Sequence, residues 1–176
     1  QFRFQEIHGG RANETGHKEI CRAIVQGLRR VQLLDHALVD DGNSGRHGHG
    51  FDVIVGAEVT TMQGHVIGLF LETTPASFRR VESTIEMIHN QGGLAVAPHP
   101  LSWLTRSISS RTLNRLARQD GPRFDAIELA SPSPAALRTR ERAVRLNNEV
   151  WRLPAIGSSD AHHLGHIATG WTEFEG

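Results

Sequence analysis

Asp52-Val53-Ile54-Val55-Gly56-Ala57-Glu58-Val59 and His65-Val66-Ile67-Gly68-Leu69-Phe70-Leu71 are two apolar runs separated only by Thr60-Thr61-Met62-Gln63-Gly64. Short apolar runs bounded by Gly and polar residues read as buried strands. A parallel crossover needs a dozen or more residues, so this link predicts an antiparallel hairpin. Glu58 ends the first run, where an unpaired carboxylate is costly to bury, and His65 opens the second. A turn centred between Thr61 and Met62 sets the two directly opposite, roughly 5 Å apart at Cβ. A longer loop shifts that pairing.

Working outward, the chain alternates strands with helices. Before the hairpin come a strand at Phe2-Arg3-Phe4-Gln5-Glu6-Ile7, a helix over 17–30 carrying Ile20, Ile24, Val25 and Leu28 at helical spacing, a strand over 31–34, and a Gly-rich loop over 40–50. After it, a helix is predicted over 77–90, with Val81, Ile85 and Ile88 on one stripe and Glu82 and Glu86 on the wet side. Gln91-Gly92-Gly93 should stop it. There follow a strand over 94–97, a helix over 109–118 capped by Ser109 or Ser110, a strand over 124–129, a basic helix over 134–150 and a strand over 153–157. Such alternation predicts a single α/β domain over 1–176, a parallel sheet or barrel of about six or seven strands.

Composition narrows the function. The 176 residues carry 19 basic and 19 acidic side chains, so no bulk field recruits nucleic acid or an anionic membrane. Cys21 is alone, which excludes a disulfide framework and a Cys-based zinc site. No apolar run approaches the roughly 20 residues that span a bilayer, and no signal peptide opens the chain; the expectation is cytoplasmic. Histidine is the outlier, with 11 residues against 7 Phe and no Tyr.

Those histidines, with several carboxylates, fall at strand ends, where α/β folds collect functional residues. Leu33-Leu34-Asp35-His36, Val55-Gly56-Ala57-Glu58, Val96-Ala97-Pro98-His99-Pro100 and Ile156-Gly157-Ser158-Ser159-Asp160-Ala161-His162 all share this form. In an extended segment Asp160 and His162 point the same way and can face one ion. Pro98 and Pro100 stiffen the turn around His99 and remove two amide donors. Asp35 either holds His36 from behind or binds metal itself. His8 closes the first strand, with Glu6 on its face. His47 and His49 have ligand-like spacing but read as solvated loop, and His163 and His166 as surface or supporting residues. Each residue alone also has an ordinary reading as a cap, a turn histidine or a core histidine. Together they predict one polynuclear metal site.

The segments 53–61 and 64–71, Ile88-His89-Asn90-Gln91-Gly92-Gly93-Leu94-Ala95-Val96-Ala97-Pro98-His99-Pro100, Asp125-Ala126-Ile127-Glu128, and Gly157 to His162 followed by Thr172-Glu173-Phe174 resemble the PHP (polymerase and histidinol phosphatase) family. The resemblance runs from about residue 31 to the end. It implies a distorted (β/α)7 barrel, complete or incomplete, holding two or three divalent ions (Mn, Zn or Fe) and hydrolysing phosphate esters. His36, Glu58, His99, Asp160 and His162 match family ligands. His65 matches the histidine that opens the strand after the glutamate, and His89 matches no ligand. The front departs from the family's Asp-x-His-x-His-Thr and Ser-Asp-Gly: Phe4, Glu6 and His8 stand over the first motif's Asp and two His, and Ala12-Asn13-Glu14 over the second motif. Glu6 and His8 remain candidate ligands. Leu34 replaces a family Thr, and the stretch from His36 to Val53 is short.

The implied activity is metal-dependent hydrolysis of a small phosphorylated metabolite or nucleotide, with Glu58, Asp160 and His162 as the catalytic set. Glu58 bridges two cations, Asp160 is ligand and base, and His162 or His36 protonates the leaving oxygen. Arg106 or Arg111 could grip the phosphate, against an ordinary exposed place for each. The altered front motivates an alternative, a degenerate PHP module that binds metal or a partner without turnover. A carbon–nitrogen hydrolase would need a bridging lysine, and the sole lysine, Lys18, sits at a predicted helix start. A proofreading role is disfavoured by neutral charge and the lack of a polymerase region.

Overall fold

The computed structural model describes residues 54–162, 164 and 169–172. The elements expected before residue 54, with Glu6, His8 and His36, lie outside the described residues, as do His163 and His166. Within them the chain runs β1 (Gly56–Thr60), β2 (His65–Leu69), α1 (Val81–His89), β3 (Leu94–Ala97), α2 (Ser110–Arg118), β4 (Ala126–Ala130), α3 (Pro134–Leu146), a π-helical turn (Asn147–Trp151) and β5 (Ala155–Gly157).

The hairpin forms, but its register differs from the shortest-turn expectation. Thr60 lies opposite His65 and Glu58 opposite Ile67. The link is held by the fully buried Thr61, whose hydroxyl donates to the Gly64 carbonyl at 2.5 Å and accepts from the Gly64 N–H at 3.2 Å. Gly64 takes φ +141°, and a Cβ there would lie 2.7 Å from the Ile108 nitrogen; only glycine fits.

The expected (β/α)7 barrel is not what these residues form. They build an open five-stranded sheet in the order β1-β2-β3-β4-β5. β1–β2 and β2–β3 pair antiparallel, β3–β4 and β4–β5 parallel. The physical reason lies after β2. The chain returns to the hairpin tip before the helix begins, where the Phe78 N–H bonds the Thr60 carbonyl at 2.7 Å and the Met62 N–H bonds the Arg79 carbonyl at 2.9 Å. α1 then descends and β3 rises against β2. Helix-strand alternation gives spacing but not the direction of each strand. β1, β3, β4 and β5 therefore point one way, and their carboxyl ends share an edge with the amino end of β2.

Helices form largely where their apolar spacing places them. α1 buries Val81, Ile85 and Ile88, and the chain turns away just past its end at Gly92, which takes φ +74°. Its Glu86 is exposed as expected, while Glu82 is partly buried and pairs with Arg115 of α2. Ser109 caps α2, accepting from the Thr112 N–H at 3.3 Å. The predicted last helix stops being α-helical at Leu146. Buried Asn147 explains the break, because its side chain donates to the Leu153 carbonyl at 2.8 Å and accepts from the Leu153 N–H at 3.0 Å. Val66, Ile85, Ile88, Ile108, Leu113, Leu116 and Ile127 form the centre of the core.

At the edge where β3 and β4 begin, Asp125 accepts from the Ala95 N–H at 2.7 Å and meets His89 Nε2 at 2.8 Å. The hydrogen bond to Asp125 outweighs burial and raises His89 above its ordinary 6.5. This pair therefore stabilises the fold fully below about pH 6.5 and less as pH rises through the raised folded value. We predict that His89→Gln is less stable than wild type at about pH 5.5, and that the difference shrinks by about pH 8.5. Paired urea unfolding curves test this; a difference independent of pH refutes it.

Candidate metal centre

Because side chains alternate along a strand, Glu58 and Thr60 share a face of β1, as do His65 and Ile67 of β2. With Glu58 opposite Ile67, the glutamate is a diagonal neighbour of His65 on that face, within side-chain reach. Glu58 Oε1 contacts His65 Nδ1 and lies 3.5 Å from Nε2 of His99, which follows β3. The two imidazoles meet edge to face, centroids 5.7 Å apart at 71°. One ligand atom from each of the three residues lies within 4.8 Å of the others, as a shared cation requires. His65 Nδ1 is buried without a well-formed hydrogen bond despite its contact with Glu58. A buried imidazole nitrogen facing a carboxylate oxygen is a donor pair that a divalent cation can share, so the donor set fits.

His99 is 4% exposed and sits at φ +28°, a left-handed conformation rare outside glycine. Between two prolines, its own N–H donates to Glu128 Oε2 at 2.6 Å. Glu128 Oε1 takes the Ser158 hydroxyl. The glutamate thus ties the end of β3 to the end of β5. Burial pushes the Glu128 carboxyl up, and the charge of Asp160 acts the same way. Burial alone would lower His99, but Glu58, Glu128 and Asp160 together outweigh it and raise the imidazole. Glu58 is held low, chiefly by its hydrogen bond to His99, against its own partial burial. Three carboxylates around two imidazoles leave this edge rich in acceptors.

Of the candidate ligands among the described residues, Glu58, His65 and His99 come together, and Asp160 acts on the cluster through its charge. Asp160 takes φ +44°, so the stretch is not extended there, and its Oδ1 lies 3.8 Å from His162 Nδ1. The same Nδ1 meets the Asp160 carbonyl oxygen at 2.9 Å, and the imidazole stays 76% exposed. His89 lies at the opposite edge with Asp125. Arg106 stacks its guanidinium 5.9 Å over Phe78 and gives its carbonyl to the His65 N–H at 2.6 Å; Arg111 is exposed at the start of α2. Glu128 received no role from its sequence. The signal was present, since a lone glutamate in Ala126-Ile127-Glu128-Leu129-Ala130 must be partnered if the whole run is buried.

A cleft beside the cluster is lined by His99, Glu128 and Ser131 and by Thr139 and Arg140 of α3. No helix among the described residues is long and apolar enough to cross a membrane.

A family model described as PHP-associated matches residues 139–176. That segment contains the end of α3, β5 and the Asp160-Ala161-His162 stretch, and excludes Glu58, His65 and His99. An uncharacterized protein of Methanocaldococcus jannaschii is 36% identical over 89 residues, which are 49% of this chain and 52% of that protein. The chain thus spans about half the length of the curated relative it matches.

A cation held by three chain ligands stabilises the folded state by mass action, about 2.7 kcal/mol at a concentration 100 times its dissociation constant. We predict that Zn²⁺ or Mn²⁺ raises the melting temperature of the wild type, and that Glu58→Gln and His99→Ala lose most of this shift. A wild type indifferent to both ions overturns the metal assignment.

Proposed function

We propose that this chain is a PHP-related hydrolase that cleaves a phosphate ester, in a small phosphorylated metabolite or nucleotide, with the help of divalent cations. The observation that carries the reading is the convergence of Glu58, His65 and His99 at one edge, with Asp160 close enough to shift His99. The PHP-associated match over 139–176 adds support from a separate part of the chain. The proposed complement is two or three ions (Mn, Zn or Fe), with Glu58, His65, His99, Asp160 and His162 supplying ligands. A bound ion supplies a water of lowered pKa and neutralises phosphoryl charge.

The chain's own groups have separable tasks. Glu58, kept ionised by its two histidines, places negative charge between the imidazoles. Asp160 accepts the proton of the attacking water. His162, with Nδ1 turned to a backbone carbonyl, keeps Nε2 for a ligand bond or for proton delivery to the leaving oxygen. Arg140, lining the cleft beside His99, supplies positive charge for the phosphate, a task for which Arg106 and Arg111 are less well placed. A cytoplasmic setting suits the lone cysteine, and no nucleic-acid or membrane partner is proposed.

The alternative, a degenerate module that binds metal without turnover, draws on one observation: the front motif carries Phe4, Glu6 and Asn13 where the family carries ligands. A single experiment separates the two. Chelator-stripped protein is assayed on p-nitrophenyl phosphate and on nucleoside monophosphates, then again after addition of Mn²⁺, Zn²⁺ or Fe²⁺. The proposal expects turnover that returns with an ion and falls by at least roughly 100-fold in Asp160→Asn, the scale of one general base. Ion binding without turnover favours the degenerate module, and turnover that survives chelation refutes both.

A further inference from the structure

We infer that Ser107, backed by Thr105, is a positioning residue that presents Nε2 of His99 to a cation. The inference rests on the metal reading of the site and concerns residues which that reading does not use. Three distances carry it. Ser107 Oγ lies 2.7 Å from the His99 carbonyl oxygen and 2.9 Å from the His99 Nδ1. Thr105 Oγ1 lies 2.8 Å from Ser107 Oγ and 3.1 Å from the same Nδ1.

Proton counting assigns the roles. A serine hydroxyl has one hydrogen and two lone pairs, and a carbonyl oxygen only accepts. The Ser107 proton therefore goes to the His99 carbonyl, and Ser107 Oγ can only accept from the imidazole. That places a hydrogen on Nδ1. Thr105 donates to the second lone pair of Ser107 Oγ, so the oxygen is fully used. In the neutral ring Nε2 is then bare, and it is the nitrogen that faces Glu58 Oε1 at 3.5 Å. That lone pair and the carboxylate oxygen are held together by positive charge between them, a proton in the hydrogen bond to Glu58 or a cation in the proton's place. The network thus favours the tautomer that binds a cation through Nε2, the usual task of a partner on a ligand's far nitrogen.

The same serine also holds the backbone. By gripping the carbonyl and the ring of one residue, it fixes both the left-handed turn at His99 and the rotation of its side chain. Glu128 holds the N–H from the other side. Ser107 is half-buried and Thr105 exposed, so removing either hydroxyl leaves no large cavity in the core.

The test uses the full chain, stripped with chelator and titrated with Co²⁺ and Zn²⁺ against a competing dye. Ser107→Ala is expected to bind roughly 10- to 100-fold more weakly, with an altered visible Co²⁺ spectrum and an unchanged apo far-ultraviolet spectrum. Ser107→Thr, which keeps the hydroxyl, is expected to bind far closer to wild type than Ser107→Ala does. Should Ser107→Ala fail to fold, Thr105→Val and nitrogen-15 NMR of the Zn²⁺-loaded wild type decide the matter: His99 must show a protonated Nδ1 and a coordinated Nε2. Wild-type binding with an unchanged Ser107→Ala, or coordination through Nδ1, overturns the inference alone. A wild type that binds neither ion overturns the metal reading and the inference together.

Discussion

The carboxylate of Glu128, 3% exposed in the middle of a strand buried along its whole length, is the constraint on which the candidate site depends. A buried carboxylate without partners is among the costliest groups a core can hold. Here the strand ends on both sides satisfy it, through the His99 N–H and the Ser158 hydroxyl. Proline flanks leave His99 with the one free amide in Pro98-His99-Pro100, and that amide goes to Glu128. An apolar residue in place of Glu128 would strand the buried His99 amide, at roughly 1–3 kcal/mol, and release the half-buried Ser158 hydroxyl. One side chain therefore sets the distance between the end of β3, which carries His99, and the end of β5, which leads to Asp160.

The mixed sheet supplies the remaining ligands without closing into a barrel. Strand β2 runs against its neighbours, so it contributes its amino end, and His65 is its first residue. Four strand ends and one strand start then face the same way. What the cluster needs is a common edge, and an antiparallel hairpin inserted beside parallel strands provides one as well as an unbroken parallel set does.

Features that rest on local chemistry were legible in the sequence. The stripe of Val81, Ile85 and Ile88, the glycine stop at Gly92 and the Ser109 cap each follow from residues a few positions apart. The hairpin was legible too, and so was the suspicion attached to Glu58, His65 and His99. The register was not, because it is set by Thr61 closing the turn on Gly64 and by Gly64 packing on Ile108, more than forty residues away. Sheet closure is not legible for a related reason: helix-strand alternation does not say that the chain climbs back to the hairpin tip before α1. The apolar spacing over 134–150 does not mark the break at Asn147, whose bonds to Leu153 depend on the chain turning back just beyond it. Glu128 went unassigned because its partners lie about thirty residues away on either side.

Backbone strain coincides with this arrangement. His99 and Asp160 both occupy left-handed conformations, each costing on the order of 1–3 kcal/mol and kept only where surrounding contacts over-determine it. For His99 those contacts are in view: Glu128 on its N–H, Ser107 on its carbonyl and ring, prolines before and after. Asp160 lies two residues beyond the serine that Glu128 also holds, and the Ser158 N–H is fixed to the Ala130 carbonyl at 3.0 Å. Local preference alone would relax both turns toward ordinary negative-φ backbone. The hydrogen bonds to Glu128 oppose that relaxation at both loops. A residue that reaches neither Glu58 nor His65 in these contacts thereby governs how closely the acidic and imidazole groups of this edge approach one another.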